Sequence, residues 1–308
     1  MHRQIKVNNV RPAIKHDPIA AAAAMKEIRA LDLKHTSTEH LLELLAPIFR
    51  GYAVEAPRFD PGITLFRSRV CGKPANIKDL WAPPPHVTPL GRVNRAGSPV
   101  LYCCTSREVP FFESQPREGE TVAIACWITT APLQVNHVGY SEAAFKTLSS
   151  VRQQAGWAPR PANHLNEAVS NFLAEIFTRI VPVGSEYEYK LSVAAAEKLF
   201  ADDIFDGLLY PTVAMRANAD NFALKLRYAN DNLRFQKAEY ARIERVRDFA
   251  YDITWLDTAT ELEEDGAIRW KGRLDQWVIR EPYGQLTFTA QNGEWIARNR
   301  DGEIVQSE

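Results

Sequence analysis

Hydrophobic positions recur with a helical period in the first sixty residues of the chain. An alanine-rich segment over residues 19–31 follows Asp17, with proline at the first helical position. A second amphipathic run extends over residues 36–51, where Thr36 and Glu39 have the spacing of a capping box. The pattern predicts a helical hairpin whose apolar face packs on another part of the protein.

The middle of the chain mixes the period of strands with that of helices. Strands are predicted over residues 99–103, 121–130, 208–211 and 221–226. Amphipathic helices are predicted over residues 141–154 and 163–181, and a short helix over residues 192–200. Strands and helices that alternate irregularly in this way favour an α+β fold with a mixed β-sheet core and flanking helices.

The last eighty residues have a different pattern. A strand is predicted over residues 233–239, and short antiparallel strands separated by glycine turns are predicted over residues 267–270, 285–290 and 294–297. The carboxyl-terminal part is therefore expected to be rich in β-structure.

Composition and charge exclude several classes of partner. The chain has 308 residues, 45% of them hydrophobic, and a formal net charge of −1. These values indicate a folded protein with no general attraction to nucleic acid or to a membrane surface. One run of bases comprises Arg227, Arg234, Lys237, Arg242, Arg245 and Arg247. It is interrupted by Asp231, Glu239, Glu244 and Asp248, so it is interpreted as a solvated face.

Cysteine usage and the amino terminus favour a cytoplasmic protein. The four cysteines form no Cys-x-x-Cys pair, which predicts free thiols in a reducing compartment. Residues 1–6 lack the apolar core of a signal peptide, and no apolar run has the length of a membrane span. The seven histidines show no spacing typical of metal ligands, so no metal site is predicted.

The sequence contains no Gly-x-Gly-x-x-Gly motif, no Walker-type phosphate loop and no Gly-x-Ser-x-Gly elbow. The remaining candidates for chemistry are polar residues in apolar surroundings. Arg67 lies in an apolar segment, and Arg92 and Asn94 lie in a turn before the strand that contains Tyr102. Glu113 follows two phenylalanines on a predicted helix. Each has a structural alternative: an arginine can cap a turn, a tyrosine can belong to the core, and a glutamate can face solvent.

Taken in order along the chain, these segments resemble the RES domain family, named for its Arg, Glu and Ser. The matching segments are Leu65-Phe66-Arg67, Gly91-Arg92-Val93-Asn94, Gly97-Ser98-Pro99-Val100-Leu101-Tyr102, Glu113, Asp206-Gly207-Leu208-Leu209-Tyr210-Pro211-Thr212 and Asn221. The resemblance implies an ADP-ribosyltransferase-like core over residues 62–228, a helical extension over residues 1–61 and a partly β extension over residues 229–308.

The resemblance also implies an activity. Members of the family cleave the nicotinamide N-glycosidic bond of NAD⁺, which is a substrate and not a cofactor, as glycohydrolases or phosphorylases in growth control or phage defence. Such toxins are held inactive by a helix-turn-helix antitoxin of the Xre type, so contact with nucleic acid is expected only through the antitoxin.

By the same resemblance, the catalytic residues are Arg67, Tyr102 and Glu113, and the substrate-binding residues are Arg92, Asn94, Tyr210, Thr212 and Asn221. The residue types suit this chemistry, because a carboxylate stabilises an oxocarbenium-like ribose and arginines bind a pyrophosphate without a glycine-rich loop. Two positions depart from the family pattern: Thr212 replaces its serine, and Val93 replaces its usual aromatic residue.

Three alternatives stay open at the level of sequence. The first is an enzyme that transfers ADP-ribose to a macromolecule. The second is a protein that binds a nucleotide or a partner protein without catalysis. The third is a structural protein with a vestigial pocket. The replacements at Thr212 and Val93 and the two extensions are the features that favour a binding role.

Overall fold

The structure is a computed structural model that describes residues 15–52, 57–150, 152, 167–200, 204–247 and 250–272, together with the backbone of three strands further along the chain. The two amino-terminal helices, α1 (Pro18–Arg29) and α2 (Thr38–Phe49), form the predicted hairpin. Asp17 caps α1 by accepting hydrogen bonds from two backbone amides of the first turn.

The predicted cap of α2 is wrong by one residue. The hydroxyl of Ser37, not of Thr36, accepts the hydrogen bond from the His40 amide, at 3.2 Å. The Thr36 hydroxyl instead donates to the carbonyl of Asp32, because it belongs to the turn that joins the two helices. α2 also ends at Phe49, two residues before the predicted end at residue 51.

Ten of the described strands form one sheet. They are β1 (Arg58–Phe59), β2 (Thr64–Val70), β3 (Leu101–Cys104), β4 (Thr121–Thr129), β5 (Leu133–His137), β6 (Gly207–Pro211), β7 (Asp220–Leu224), β8 (Leu233–Arg247), β9 (Ala250–Ala259) and β10 (Asp275–Arg280). Their order is β1-β5-β6-β7-β3-β2-β4-β8-β9-β10. β5 and β6 run parallel, whereas the other neighbours run antiparallel, so the sheet is mixed as predicted. β11 (Thr287–Gln291) and β12 (Glu294–Arg298) form a separate hairpin.

Helices cover both faces of this sheet and confirm the α+β class. After the amino-terminal hairpin they are α3 (Val109–Ser114), α4 (Glu142–Thr147), α5 (Glu167–Phe177), α6 (Tyr189–Phe200) and α7 (Leu226–Asn232). The side chains of β4 alternate between the faces: Ile124 packs in one apolar cluster with Phe111 of α3, and Ala125 packs in another with Phe145 of α4. A third cluster joins α1, α2, α5 and α6 to β6.

Several predicted boundaries differ from the observed ones. The strand predicted over residues 221–226 ends at Leu224, and α7 follows at once. The strand predicted over residues 267–270 is not formed, and only Ala267 and Ile268 make isolated bridges there. Of the helix predicted over residues 141–154, Glu142–Thr147 form α4, and Ser149 then takes a left-handed φ of 57°. Residues 151, 153 and 154 of that prediction lie outside the described residues. The predicted start of the next helix at residue 163 lies outside the described residues.

The strands β8 to β10, beyond residue 228, continue the central sheet. β8 extends to Arg247, well past the predicted end at residue 239, and pairs with β4 along nine positions. The run of bases on β8 is not a uniformly solvated face, because Glu239 is only 6% exposed and binds the guanidinium of Arg107. Asp248, which was expected to interrupt that run, lies outside the described part of the chain.

Candidate active site

A cavity of about 340 Å³ lies where β2, β3 and β7 meet α3 and the first residue of α6. Its lining comprises Phe66, Arg67, Ser68, Gly91, Arg92, Tyr102, Cys103, Cys104, Pro110, Glu113, Ser114, Tyr189, Tyr210, Val213 and Asn221. The charged groups in this lining are two guanidiniums and one carboxylate. The excess of positive charge suits an anionic ligand.

The carboxylate belongs to Glu113, near the end of α3, and is exposed to the cavity. Its Oε1 accepts a hydrogen bond from Nδ2 of Asn221 at 2.7 Å and another from the hydroxyl of Thr212. Oε2 has no hydrogen bond to any residue that the structure describes. Two donors thus orient the carboxylate through one oxygen and leave the other oxygen available to a ligand.

The two donors are fixed by the pairing of the strands. Asn221 lies on β7, opposite Tyr210 of β6 on one side and Cys104 of β3 on the other. Thr212 follows β6 directly and is fully buried behind the carboxylate. The mixed sheet therefore brings together residues that are about a hundred positions apart in the sequence.

A tight turn before β3 holds Tyr102. The amide of Gly91 donates to the carbonyl of Asn94 at 3.0 Å, and a Cβ on residue 91 would lie 2.4 Å from Oδ1 of Asn94, so the turn requires glycine. The Tyr102 hydroxyl donates to the same Oδ1 at 2.7 Å and accepts from the Val93 amide at 3.1 Å. Burial raises the pKa of Tyr102, which keeps the phenol neutral.

Arg92 is anchored at the carboxyl end of α5. Its Nη1 donates to the carbonyls of Phe177 and Arg179, each at 3.0 Å, and its guanidinium lies 5.2 Å from the centre of the Tyr189 ring. The hydrogen bonds use one nitrogen of the guanidinium, and the aromatic ring stabilises its charge. The group is held in place while the other nitrogens make no hydrogen bond to the described residues.

Arg67 is a part-buried cation with an incomplete set of partners. Its Nη1 donates to the carbonyl of Tyr102 at 3.1 Å, while its Nε is buried with no hydrogen-bond partner among the described residues. Burial lowers the pKa of this guanidinium because the charged form loses hydration. A buried donor without a partner is unfavourable, and a cation in the wall of a cavity favours the binding of an anion there.

The structure divides the predicted site residues into two groups. Six of them line the cavity: Arg67, Arg92, Tyr102, Glu113, Tyr210 and Asn221. Asn94 and Thr212 lie behind it, where they orient Tyr102 and Glu113 through hydrogen bonds. Their predicted contact with substrate stays a prediction.

Sequence reasoning missed Tyr189. This residue opens α6 and places its ring in the lining beside Arg92, whereas the predicted helix began three residues later at Ser192. No motif surrounds it, because the segment Glu186-Tyr187-Glu188-Tyr189 reads as a polar connection between helices.

The described part of the chain has features of neither a membrane span nor a metal site. Within the described ranges, no helix has both the length and the apolar character needed to cross a bilayer. No group of three or more His, Cys, Asp or Glu side chains there has a geometry that suits a metal ion. All four cysteines are free, and burial raises the pKa of Cys103 in the cavity wall to about 12.

Comparison with known proteins identifies the family. A search of curated proteins finds no match. Residues 64–252, more than half of the chain, match the family model of the RES domain. The α+β architecture fits the ADP-ribosyltransferase-like fold of that domain, which is associated with NAD⁺ and with antitoxins. The matched region contains β2 to β8, α3 and the complete cavity lining, and the chain therefore belongs to the RES domain family.

Proposed function

We propose that this protein consumes NAD⁺ by cleaving the bond between nicotinamide and ribose. The observation that carries the proposal is the Glu113 carboxylate, which two donors hold by Oε1 while Oε2 faces a cavity lined by Arg67 and Arg92. A fixed negative charge beside two fixed positive charges complements a cationic ribose linked to an anionic pyrophosphate.

The reaction follows from these positions. Arg67 and Arg92 bind the pyrophosphate through nitrogens that the protein leaves free. As the glycosidic bond breaks, its electron pair leaves with nicotinamide, and the positive charge that develops on the ribose is stabilised by Glu113. Nicotinamide leaves as a neutral molecule, so no strong general acid is needed. Water or phosphate then adds to the anomeric carbon and loses a proton.

The size of the cavity suits the reacting half of the dinucleotide. Its volume of about 340 Å³ is near the lower end of ligand pockets, which run from about 300 to about 1,000 Å³. Nicotinamide and its ribose occupy the cavity in this proposal, between Tyr102 and Tyr210, and the adenosine lies outside. Tyr102, which is half-buried, and Tyr210, which is buried, both belong to the lining, and aromatic residues there favour a planar ring.

Incubation of the purified protein with NAD⁺, with and without phosphate, tests the proposal. We expect free nicotinamide in both cases, with ADP-ribose as the second product in water and its phosphorylated form if phosphate is the acceptor. Labelled protein or nucleic acid would instead identify a transferase. If NAD⁺ raises the melting temperature but stays intact for hours, the binding role is correct and catalysis is excluded.

A toxin role is the biological part of the proposal. The association of the RES domain with antitoxins supports it. In this role a helix-turn-helix protein of the Xre type blocks access to the cavity. Co-purification of such a protein with this chain, accompanied by loss of nicotinamide release, is the expected result.

Replacing Thr212 by valine tests how the carboxylate is held. Valine has the shape of threonine without its hydroxyl, so Glu113 loses one of its two donors while the buried volume is kept. We expect kcat to fall about 10-fold, since one hydrogen bond to a charged group contributes about 1.5 kcal/mol or more.

Thr212→Ser is the matched control, because it keeps the hydroxyl and restores the serine of the family pattern. We expect activity within about twofold of the wild type, since the donor to Glu113 is retained. Equal rates for the valine and serine variants would show that the hydroxyl does not position the carboxylate.

A further inference from the structure

The turn that carries Arg92 is tied to two helices by a single side chain. Nε and Nη2 of Arg95 donate to the two carboxylate oxygens of Glu197 on α6, the second bond at 3.0 Å. Nη1 of the same guanidinium donates to Oε1 of Glu39 on α2. One planar group therefore joins the turn, the amino-terminal hairpin and α6.

The other end of α6 is tied to the same hairpin. Nζ of Lys190 donates to three carbonyls in the connection between α1 and α2, those of Leu33, Lys34 and Thr36, at 3.0 to 3.1 Å. All three donors of the ammonium group are used. Lys190 directly follows Tyr189, whose ring contacts the guanidinium of Arg92 in the cavity wall. The hairpin thus holds both the residue that contacts Arg92 and the turn that bears it.

Apolar packing supports the same connection. Val93, next to Arg92, is 3% exposed and belongs to a cluster with Leu41 and Leu45 of α2 and Leu199 of α6. Val93 is one of the two positions at which the sequence departs from the pattern of the family that it resembles. The smaller side chain lies in the apolar cluster that the hairpin itself helps to build.

We propose that Arg95 is a positioning residue, which fixes the Arg92 turn through Glu39 and Glu197 and makes the amino-terminal hairpin a working part of the active site. The effect on catalysis rests on the proposed NAD⁺ cleavage. The effect on the turn itself does not. Arg95 lies outside the cavity lining, so in this proposal it acts through the orientation of Arg92 and of Tyr102 beyond it.

Hydrogen exchange of the unliganded protein tests the positioning. The amides of Gly91, Val93, Gly97 and Ser98 are hydrogen-bonded within the turn or to residues beside it, so their exchange reports on its order. We expect Arg95→Gln to speed their exchange about 10-fold, corresponding to the loss of roughly 1.4 kcal/mol of local stability. Glu39→Gln and Glu197→Gln are expected to give smaller effects that do not add to that of Arg95→Gln.

Arg29→Gln is the matched control. Arg29 on α1 also joins the hairpin to the core by an ion pair, with Glu175 of α5 at 2.8 Å, but it contacts neither the turn nor α6. Its replacement is expected to leave the four amides unchanged. If Arg95→Gln also leaves them unchanged, or if Arg29→Gln speeds them equally, Arg95 has no specific positioning role.

Steady-state kinetics separate positioning from general stability. We expect Arg95→Gln to raise KM for NAD⁺ about 10-fold and to change kcat less, because a poorly held Arg92 weakens binding of the pyrophosphate. An unaltered KM together with faster amide exchange would overturn the link to the site. If the wild type releases no nicotinamide, the proposed function fails, whereas the exchange experiment still decides the role of Arg95.

Discussion

Replacing Glu113 by glutamine is expected to lower the rate of nicotinamide release about 1,000-fold. The amide keeps an oxygen where Oε1 accepts hydrogen bonds from Asn221 and Thr212, so the side chain stays in place. What it loses is the negative charge that faces the ribose. Because the change is confined to charge, we expect affinity for NAD⁺ within about threefold of the wild type.

Single-turnover measurement of nicotinamide release, combined with titration of NAD⁺ by calorimetry, checks both expectations. Glu108→Gln is the matched control, since Glu108 precedes the same short helix and its carboxylate lies outside the cavity lining. Retention of wild-type activity in Glu113→Gln would exclude electrostatic stabilisation by this carboxylate. A comparable loss in Glu108→Gln would indicate damage to α3 instead.

The hydrophobic pattern predicted the presence of the strands around the site better than it predicted their ends. β3 and β4 lie within a residue or two of the predicted strands, because alternation on a half-buried sheet leaves a clear period. β8 was predicted at less than half of its length. Charged residues between positions 239 and 247 obscure the alternating pattern, and two bulges against β9 interrupt its period. The charges in this segment also led to the wrong prediction of a solvated face, since Glu239 is buried in an ion pair with Arg107.

The sequence predicted which residues belong to the site but not how they are arranged in space. Arg67, Arg92 and Glu113 follow from the ordered family segments, and all three line one cavity. Thr212 and Asn94 lie behind the lining. Their position depends on the register of the strands, which the hydrophobic pattern alone does not specify. Tyr189 has no local signature, because its place depends on where α6 starts and on how the hairpin packs against it.

The part-buried guanidinium of Arg67 leads to the second large effect, in which stability and function change in opposite directions. Replacing Arg67 by methionine is expected to raise Kd for NAD⁺ about 100-fold, because charge-assisted bonds to a pyrophosphate contribute up to about 3 kcal/mol. The same change is expected to stabilise the free protein by about 1 kcal/mol, or about 2 °C in melting temperature.

The gain in stability has a physical reason. The folded protein keeps a cation in the cavity wall whose Nε is buried without a partner, and only one of its nitrogens donates to a carbonyl, that of Tyr102. Methionine has a similar length and no such unmet donor, so the lost hydrogen bond of about 1 kcal/mol is outweighed by the removal of a buried charge.

Thermal unfolding without ligand and calorimetry with NAD⁺ measure the two effects separately. Arg69→Met is the control, because Arg69 lies on the same strand and also donates to a carbonyl, that of Asp79, but is exposed and outside the cavity lining. Its replacement is expected to leave both the melting temperature and the affinity for NAD⁺ close to those of the wild type, as is usual for an exposed side chain. A melting temperature that falls in Arg67→Met while NAD⁺ affinity is kept would make Arg67 a structural residue. The opposite pair of changes would mean that the protein retains an unfavourable buried cation because its ligand needs one.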